Sequence, residues 1–150
     1  MTQRLNYAKA APDLLQAMYA LEKAVASSGL DHSLLELVKT RASQINGCAF
    51  CIDMHTRDAR KAGETEARLY LLNAWREAPH HYTPKERAAL AWTEALTLVA
   101  TTHAPQADYD ALAPHFADAE TVALTLAITT INAWNRLSIG FGSVPPAPRA

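Results

Sequence analysis

The chain has 150 residues, with 14 Lys and Arg against 15 Asp and Glu and 49% hydrophobic residues, enough to bury a core without covalent or metal staples. A net charge of −1 leaves no basic surplus for a phosphate backbone and no acidic tail, which argues against nucleic acid as a partner. No apolar run approaches the roughly 18 residues of a membrane helix, and the N-terminal stretch lacks a basic segment followed by an apolar one, so a soluble cytoplasmic chain without a membrane partner is expected.

In chain order the pattern is helical throughout. "APDLLQAMYALEKAVASSG" sets Leu14, Leu15, Met18, Leu21 and Val25 at helical spacing and ends at Gly29. "DHSLLELVKTRASQING" follows, with Asp31 as N-cap and Asn46-Gly47 as its break. "CAFCIDMHTRDARKAG" resumes the period and stops at Gly63, and "TEARLYLLNAWREA" runs up to Pro79. Thr83, Pro84 and Glu86 form a capping-box start for the helix "TPKERAALAWTEALTLVATTH". "PQADYDALAPHF" is a shorter helix, and "DAETVALTLAITTINAWNRLSIGFG" a long, largely buried one. The expected fold is therefore all-α, a bundle of six or seven helices forming a single domain over 1–150, with a flexible proline-rich tail over about 143–150. Asn73-Ala74-Trp75 recurs as Asn132-Ala133-Trp134, a hint of duplication only three letters long.

The two cysteines, Cys48 and Cys51, stand three apart just after the Asn46-Gly47 break, and His55 follows one turn later. If a helix starts near Gly47, Cys48 falls in its first turn, and the three side chains share a sector of about 60°. The sulfurs can then form a strained, easily reduced bridge, and the helix N-terminus favours thiolate over thiol. Glu36 lies about 15 Å of helix before the break and His55 about 12 Å after it, so a hairpin of the two helices brings them level. The order of groups becomes carboxylate, imidazole, thiol, in which His55 can take a proton from Cys51 and Glu36 can orient the imidazole. Two buried thiols of no chemical consequence are the plain alternative. Zinc is the sharper one, with Cys48, Cys51, His55 and Glu36 as ligands, but a second ligand pair of comparable spacing is missing, so neither a native metal nor another cofactor is expected. His80 and His81 fall in a loop, His103 and His115 near helix ends, and His32 beside a cap, where surface or capping roles are the ordinary ones. Trp75, Trp92 and Trp134 read as core or subunit-contact anchors. Asn132, Asn135 and Arg136 are polar positions in an apolar helix, available to a neighbouring subunit.

Glu36, eleven residues, Cys48-Ala-Phe-Cys51, three residues, then His55 resembles the core motif of AhpD-like alkylhydroperoxidases, within the carboxymuconolactone decarboxylase superfamily. The motif region spans about 31–63, and the flanking "ELVKTRASQING", "AGETEARLYLL" and "ERAALAWTEALTL" are also similar to that family. The resemblance implies an all-α homo-oligomer, trimer or hexamer, running a thiol peroxidase cycle on alkyl hydroperoxides. On it, Cys51 is the peroxidatic thiol, deprotonated through His55 and Glu36, and Cys48 the resolving thiol. An external dithiol or dithiol protein, such as a peroxiredoxin partner, completes the cycle. Phe50 stands where the best-known members carry a histidine, which makes the site more apolar and suits an organic peroxide. A redox sensor or disulfide-exchange protein of the same superfamily is the alternative.

Overall fold

All regular elements of the structure, a computed structural model describing residues 2–147, are helical. They are α1 (Tyr7–Ala10), α2 (Pro12–Ala26), α3 (His32–Asn46), α4 (Ala49–Lys61), α5 (Glu66–Leu71), α6 (Pro84–Thr97), α7 (Val99–Thr102), α8 (Gln106–Asp110) and α9 (Asp118–Phe141), with 3₁₀ turns over Leu72–Glu77 and Pro79–His81. Each of the seven periodic segments has its counterpart, since the 3₁₀ turn Leu72–Glu77 continues α5 and α7 continues α6. The single-turn α1 and the turn at Pro79–His81 carry too little periodicity to be foreseen. Residues 143–147 of the proline-rich tail form no helix, and 148–150 lie outside the described residues. The recurring Asn-Ala-Trp is not a repeated unit, because its first copy lies in the 3₁₀ turn and its second in the middle of α9. No described helix is long and apolar enough to cross a membrane.

Local chemistry sets the boundaries. Asp31 Oδ1 accepts the backbone N–H groups of Ser33 (2.7 Å) and Leu34 (3.3 Å), capping α3. At the other end Gly47 takes φ +69°, a left-handed value that costs a residue with a Cβ about 1 kcal/mol or more, and the chain turns there into α4. Thr83 and Glu86 close the reciprocal capping box of α6, with Thr83 N–H donating to Glu86 Oε2 at 2.7 Å and Glu86 N–H to Thr83 Oγ1 at 3.2 Å.

α3 is the central helix, packed on α4, α6 and α9. Leu37, Val38, Thr40 and Ala42 have no exposed surface, and even Glu36 and Lys39 are only 5% exposed. Within α3 the stretch 34–40 is buried on every side; there Glu36 and Lys39 find partners inside the protein, His55 and Glu22, that build the site, while Thr40 Oγ1 has no partner among the described residues. One core joins Leu34, Leu35 and Val38 to Trp92, Leu124 and Ile128, and a second gathers Leu37, Leu72, Trp75 and Leu90. A third and smaller cluster holds Ala42, Cys48, Cys51 and Ile131, with Phe50 and Trp134 against it. The N-terminal residues lie across the end of α9: Arg4 N–H donates to Phe141 O at 2.8 Å, Arg4 Nη1 to Gly140 O at 3.1 Å, and the Tyr7 and Phe141 rings are 5.4 Å apart.

Candidate active site

The α3–α4 hairpin positions the chemistry. Cys48 is not in the first turn of α4 but is its N-cap, with extended φ/ψ of −84° and 92°, so its sulfur swings back over the helix start and accepts the Cys51 N–H at 3.4 Å. The two sulfurs consequently lie 2.6 Å apart, closer than two successive-turn positions inside a helix would bring them. Both cysteines are free and each is 1% exposed. Hydrogen bonding from the Cys51 thiol, against the opposing effect of burial and with help from the Cys51 N–H, Ser138 and Asn135, brings Cys48 down from 9.0 to about 6. Cys51 is pushed the other way, by its bond to Cys48, by burial and by the charge on Cys48. The directions of the two shifts favour a single negative charge on the pair, at Cys48, with one proton shared between the sulfurs.

Glu36 and His55 meet across the hairpin, Oε2 to Nδ1 at 2.9 Å, both nearly buried. The second carboxylate oxygen, Oε1, is 3.8 Å from Nε2 of His32, whose side chain is largely exposed. Among the described residues the sulfurs bond to each other, to the Cys51 N–H, to Ser138 and to Asn135, and not to the imidazole. No direct hydrogen bond joins Cys51 to His55 among the described residues; the two groups border one cavity. That cavity, of about 520 Å³, is bordered by Cys51, His55 and Glu36, while Cys48 is behind it. Leu30, Leu35, Phe50, Met54 and Trp134 supply its apolar wall, and the Trp134 ring lies tilted against Tyr19, centroids 5.4 Å apart.

Three features escaped the sequence. Asn132 and Asn135, set aside for a neighbouring subunit, are buried within their own chain. Asn46 Nδ2 donates to both their side-chain oxygens at 2.9 Å, Asn135 Nδ2 to Ser43 Oγ at 3.0 Å, and Asn132 Nδ2 to Thr97 Oγ1 at 3.0 Å. Arg136 closes on Asn132 through Nη1, again within the chain. Ser138, one turn on, lines the cavity with its hydroxyl 3.8 Å from Cys51 Sγ. Lys39 points into the same cavity and pairs with Glu22 of α2. An Asn-x-x-Asn in an apolar helix was the only local signal for the first of these; the others depend on contacts between distant segments.

The remaining candidates take structural places. His80 and His81 sit in a 3₁₀ turn and His103 is a left-handed cap with φ 54°, while Trp75 donates to Glu94 (2.9 Å) and Trp92 to Thr125 (3.0 Å). Among the described residues no group of three or more His, Cys, Asp or Glu side chains is placed to hold a metal ion, because Cys48 and Cys51 face each other and not His55 and Glu36.

The sequence model of the carboxymuconolactone decarboxylase family matches residues 12–95. The uncharacterized Bacillus subtilis protein YdfG is 46% identical over 143 residues, 95% of this chain and 97% of its own. A crystal structure of a protein of unknown function from Agrobacterium tumefaciens, whose proposed role is that of the antioxidant defence protein AhpD, is 48% identical with a TM-score of 0.94, covering 98% of this chain and all of that one. An uncharacterized peroxidase-related protein from Ralstonia eutropha, described as an alkylhydroperoxidase AhpD core, is 22% identical with a TM-score of 0.80 over 93% of this chain and 74% of its own, a likeness of fold.

Proposed function

The chain belongs to the carboxymuconolactone decarboxylase family, as an AhpD-like all-α member, and on that premise we propose that it is a thiol-dependent peroxidase reducing organic hydroperoxides through a Cys48/Cys51 dithiol–disulfide cycle. The observation that carries the reading is the cavity in which Cys51, backed by Cys48 at 2.6 Å, shares one apolar space with the Glu36–His55 pair. The proposed antioxidant role of the 48% identical Agrobacterium protein supports it.

In the proposed cycle, Cys51 passes its proton to the Cys48 thiolate and attacks the distal oxygen of ROOH. The O–O bond breaks, Cys51 becomes a sulfenic acid and the alkoxide leaves as ROH. Cys48 then attacks the Cys51 sulfur, the disulfide forms and the hydroxyl departs as water. Forming ROH and water from one thiol, one thiolate and ROOH consumes one proton from outside the pair. His55, held by Glu36 in the same cavity, is the group to deliver it. An external dithiol, free or on a reductant protein such as a peroxiredoxin, returns the pair to the reduced form by exchange. We assign this chemistry to a homo-oligomer, trimer or hexamer, in a reducing cytoplasmic setting; exposed Val122 and Leu126 on α9 and Leu14 on α2 support subunit contacts.

The test is steady-state consumption of cumene hydroperoxide by metal-free protein with excess dithiol. Wild type should turn over, Cys51→Ser should not, and Cys48→Ser should consume one equivalent and stall. Equal residual rates in the two variants would overturn the roles. A wild-type rate no higher than that of Cys51→Ser would leave disulfide exchange or redox sensing as the function.

A further inference from the structure

Lys39 is an expensive residue where it stands. Its side chain is 7% exposed, in the stretch of α3 buried on all sides, and it lines, together with its partner Glu22, the cavity that Cys51 borders. Among the described residues it has one acceptor, Glu22 Oε1, although an ammonium has three N–H bonds to give. The two ends of the pair differ: Glu22 sits on peripheral α2 and is 31% exposed, while Lys39 is fixed in the core. The other two carboxylates facing the cavity have partners of their own, Glu36 between His55 and His32, and Asp58 against Lys61 at 2.9 Å. Among the described residues Lys39 is thus the one Lys or Arg lining the cavity, and an incoming anion can replace at it a carboxylate free to move out into water.

From this we propose that the cavity binds amphipathic carboxylates, with the ligand's carboxylate on Lys39 in exchange for Glu22 and its hydrocarbon body along Leu35, Phe50 and Trp134. Exchange of one carboxylate for another leaves the buried ammonium paired throughout, so the desolvation that would penalise a neutral ligand end at this position does not arise. The volume of about 520 Å³ is in the range that encloses a small organic molecule. Glu36 and Lys39 are neighbours on one face of α3, about 4.5 Å apart along its axis, so a ligand anchored on Lys39 passes the relay and the thiol. Resting on the peroxidase reading, this makes organic hydroperoxides that carry a carboxylate the substrate class, with the neutral peroxide group at Cys51 and the anion at Lys39.

Binding can be measured without turnover. By calorimetry on the reduced wild-type protein, decanoate should bind about tenfold or more tightly than decan-1-ol, the ratio expected of one well-desolvated ion pair. Lys39→Met should erase that ratio. Glu22→Gln, which removes the competing carboxylate from a half-exposed position, should tighten decanoate severalfold without altering decan-1-ol, and it decides the matter even if Lys39→Met does not fold. Equal affinity for the two ligands in the wild type, or a Glu22→Gln protein that binds decanoate no better, would overturn the proposal. Because decanoate is not oxidised, selective binding without consumption of any hydroperoxide would uphold the site and refute the peroxidase reading alone.

Discussion

Replacing Cys51 by alanine removes the hydrogen bond that contributes most to holding Cys48 near 6. The remaining support comes from the backbone N–H at 3.4 Å and from Ser138 and Asn135, while burial still opposes the charge. Cys48 should then titrate well above 6, and its thiolate fraction at pH 7 should fall below the roughly nine-tenths that a midpoint near 6 gives. Absorbance at 240 nm across pH 4–10, corrected with a Cys48→Ser/Cys51→Ser protein, counts the thiolates directly. Reduced wild type should show a single thiolate with a midpoint near 6 and no second one up to pH 10, and Cys51→Ala a single one displaced upward. Two thiolates appearing together near 9 in the wild type, or a midpoint in Cys51→Ala still near 6, would refute the shared-proton account. The same pair fixes a stability profile. Between pH 6 and 9 the unfolded chain binds one proton more than the folded one, at Cys48, so stability of the reduced protein rises with pH; above 9 the folded chain keeps the Cys51 proton that the unfolded chain has lost, and stability falls.

Glu36→Gln keeps the shape but exchanges a charge-assisted bond to His55 for a neutral one, and should lower kcat/KM for an organic hydroperoxide by about 10- to 100-fold, read in the dithiol-coupled assay. Asn135→Ala removes one of the two acceptors of Asn46 Nδ2 and the amide that donates to Ser43 Oγ, leaving Asn46 on Asn132 and Ser43 on Lys39 O, and should cost about 1–3 kcal/mol, seen as a Tm lower by roughly 2–12 °C in calorimetry.

The helices were legible because each carries its own period and its own stop: Asp31, Gly47 and the Thr83–Glu86 box act within four residues of where they stand. The meeting of Glu36 with His55 was legible for a related reason, since a hairpin with a known break lets arms of similar length, about 15 and 12 Å, bring the two side chains level. Cys48 was misplaced by one position, and that position matters: as N-cap and not as first-turn residue it brings its sulfur to 2.6 Å from Cys51. Nothing local distinguishes the two, because both begin with a sulfur near the helix start. The network around Asn135 and the Lys39–Glu22 pair join residues 17 to 92 positions apart, and such contacts follow from how whole helices pack.

The strap formed by the N-terminal residues on the end of α9 gives the cavity a history. Tyr7 borders the cavity, and the bond that holds its segment, Arg4 to Gly140, spans 136 positions of sequence. Closing a contact of that span carries a larger loop entropy than closing the α3–α4 hairpin, so Tyr7 should join the site after Cys51, His55 and Glu36 are assembled, an expectation that the exchange of its segment's amides tests. The order reverses on opening. Amides of residues 4–10 should exchange with solvent hydrogen well before those of α3, uncovering the cavity while its chemistry stays in place.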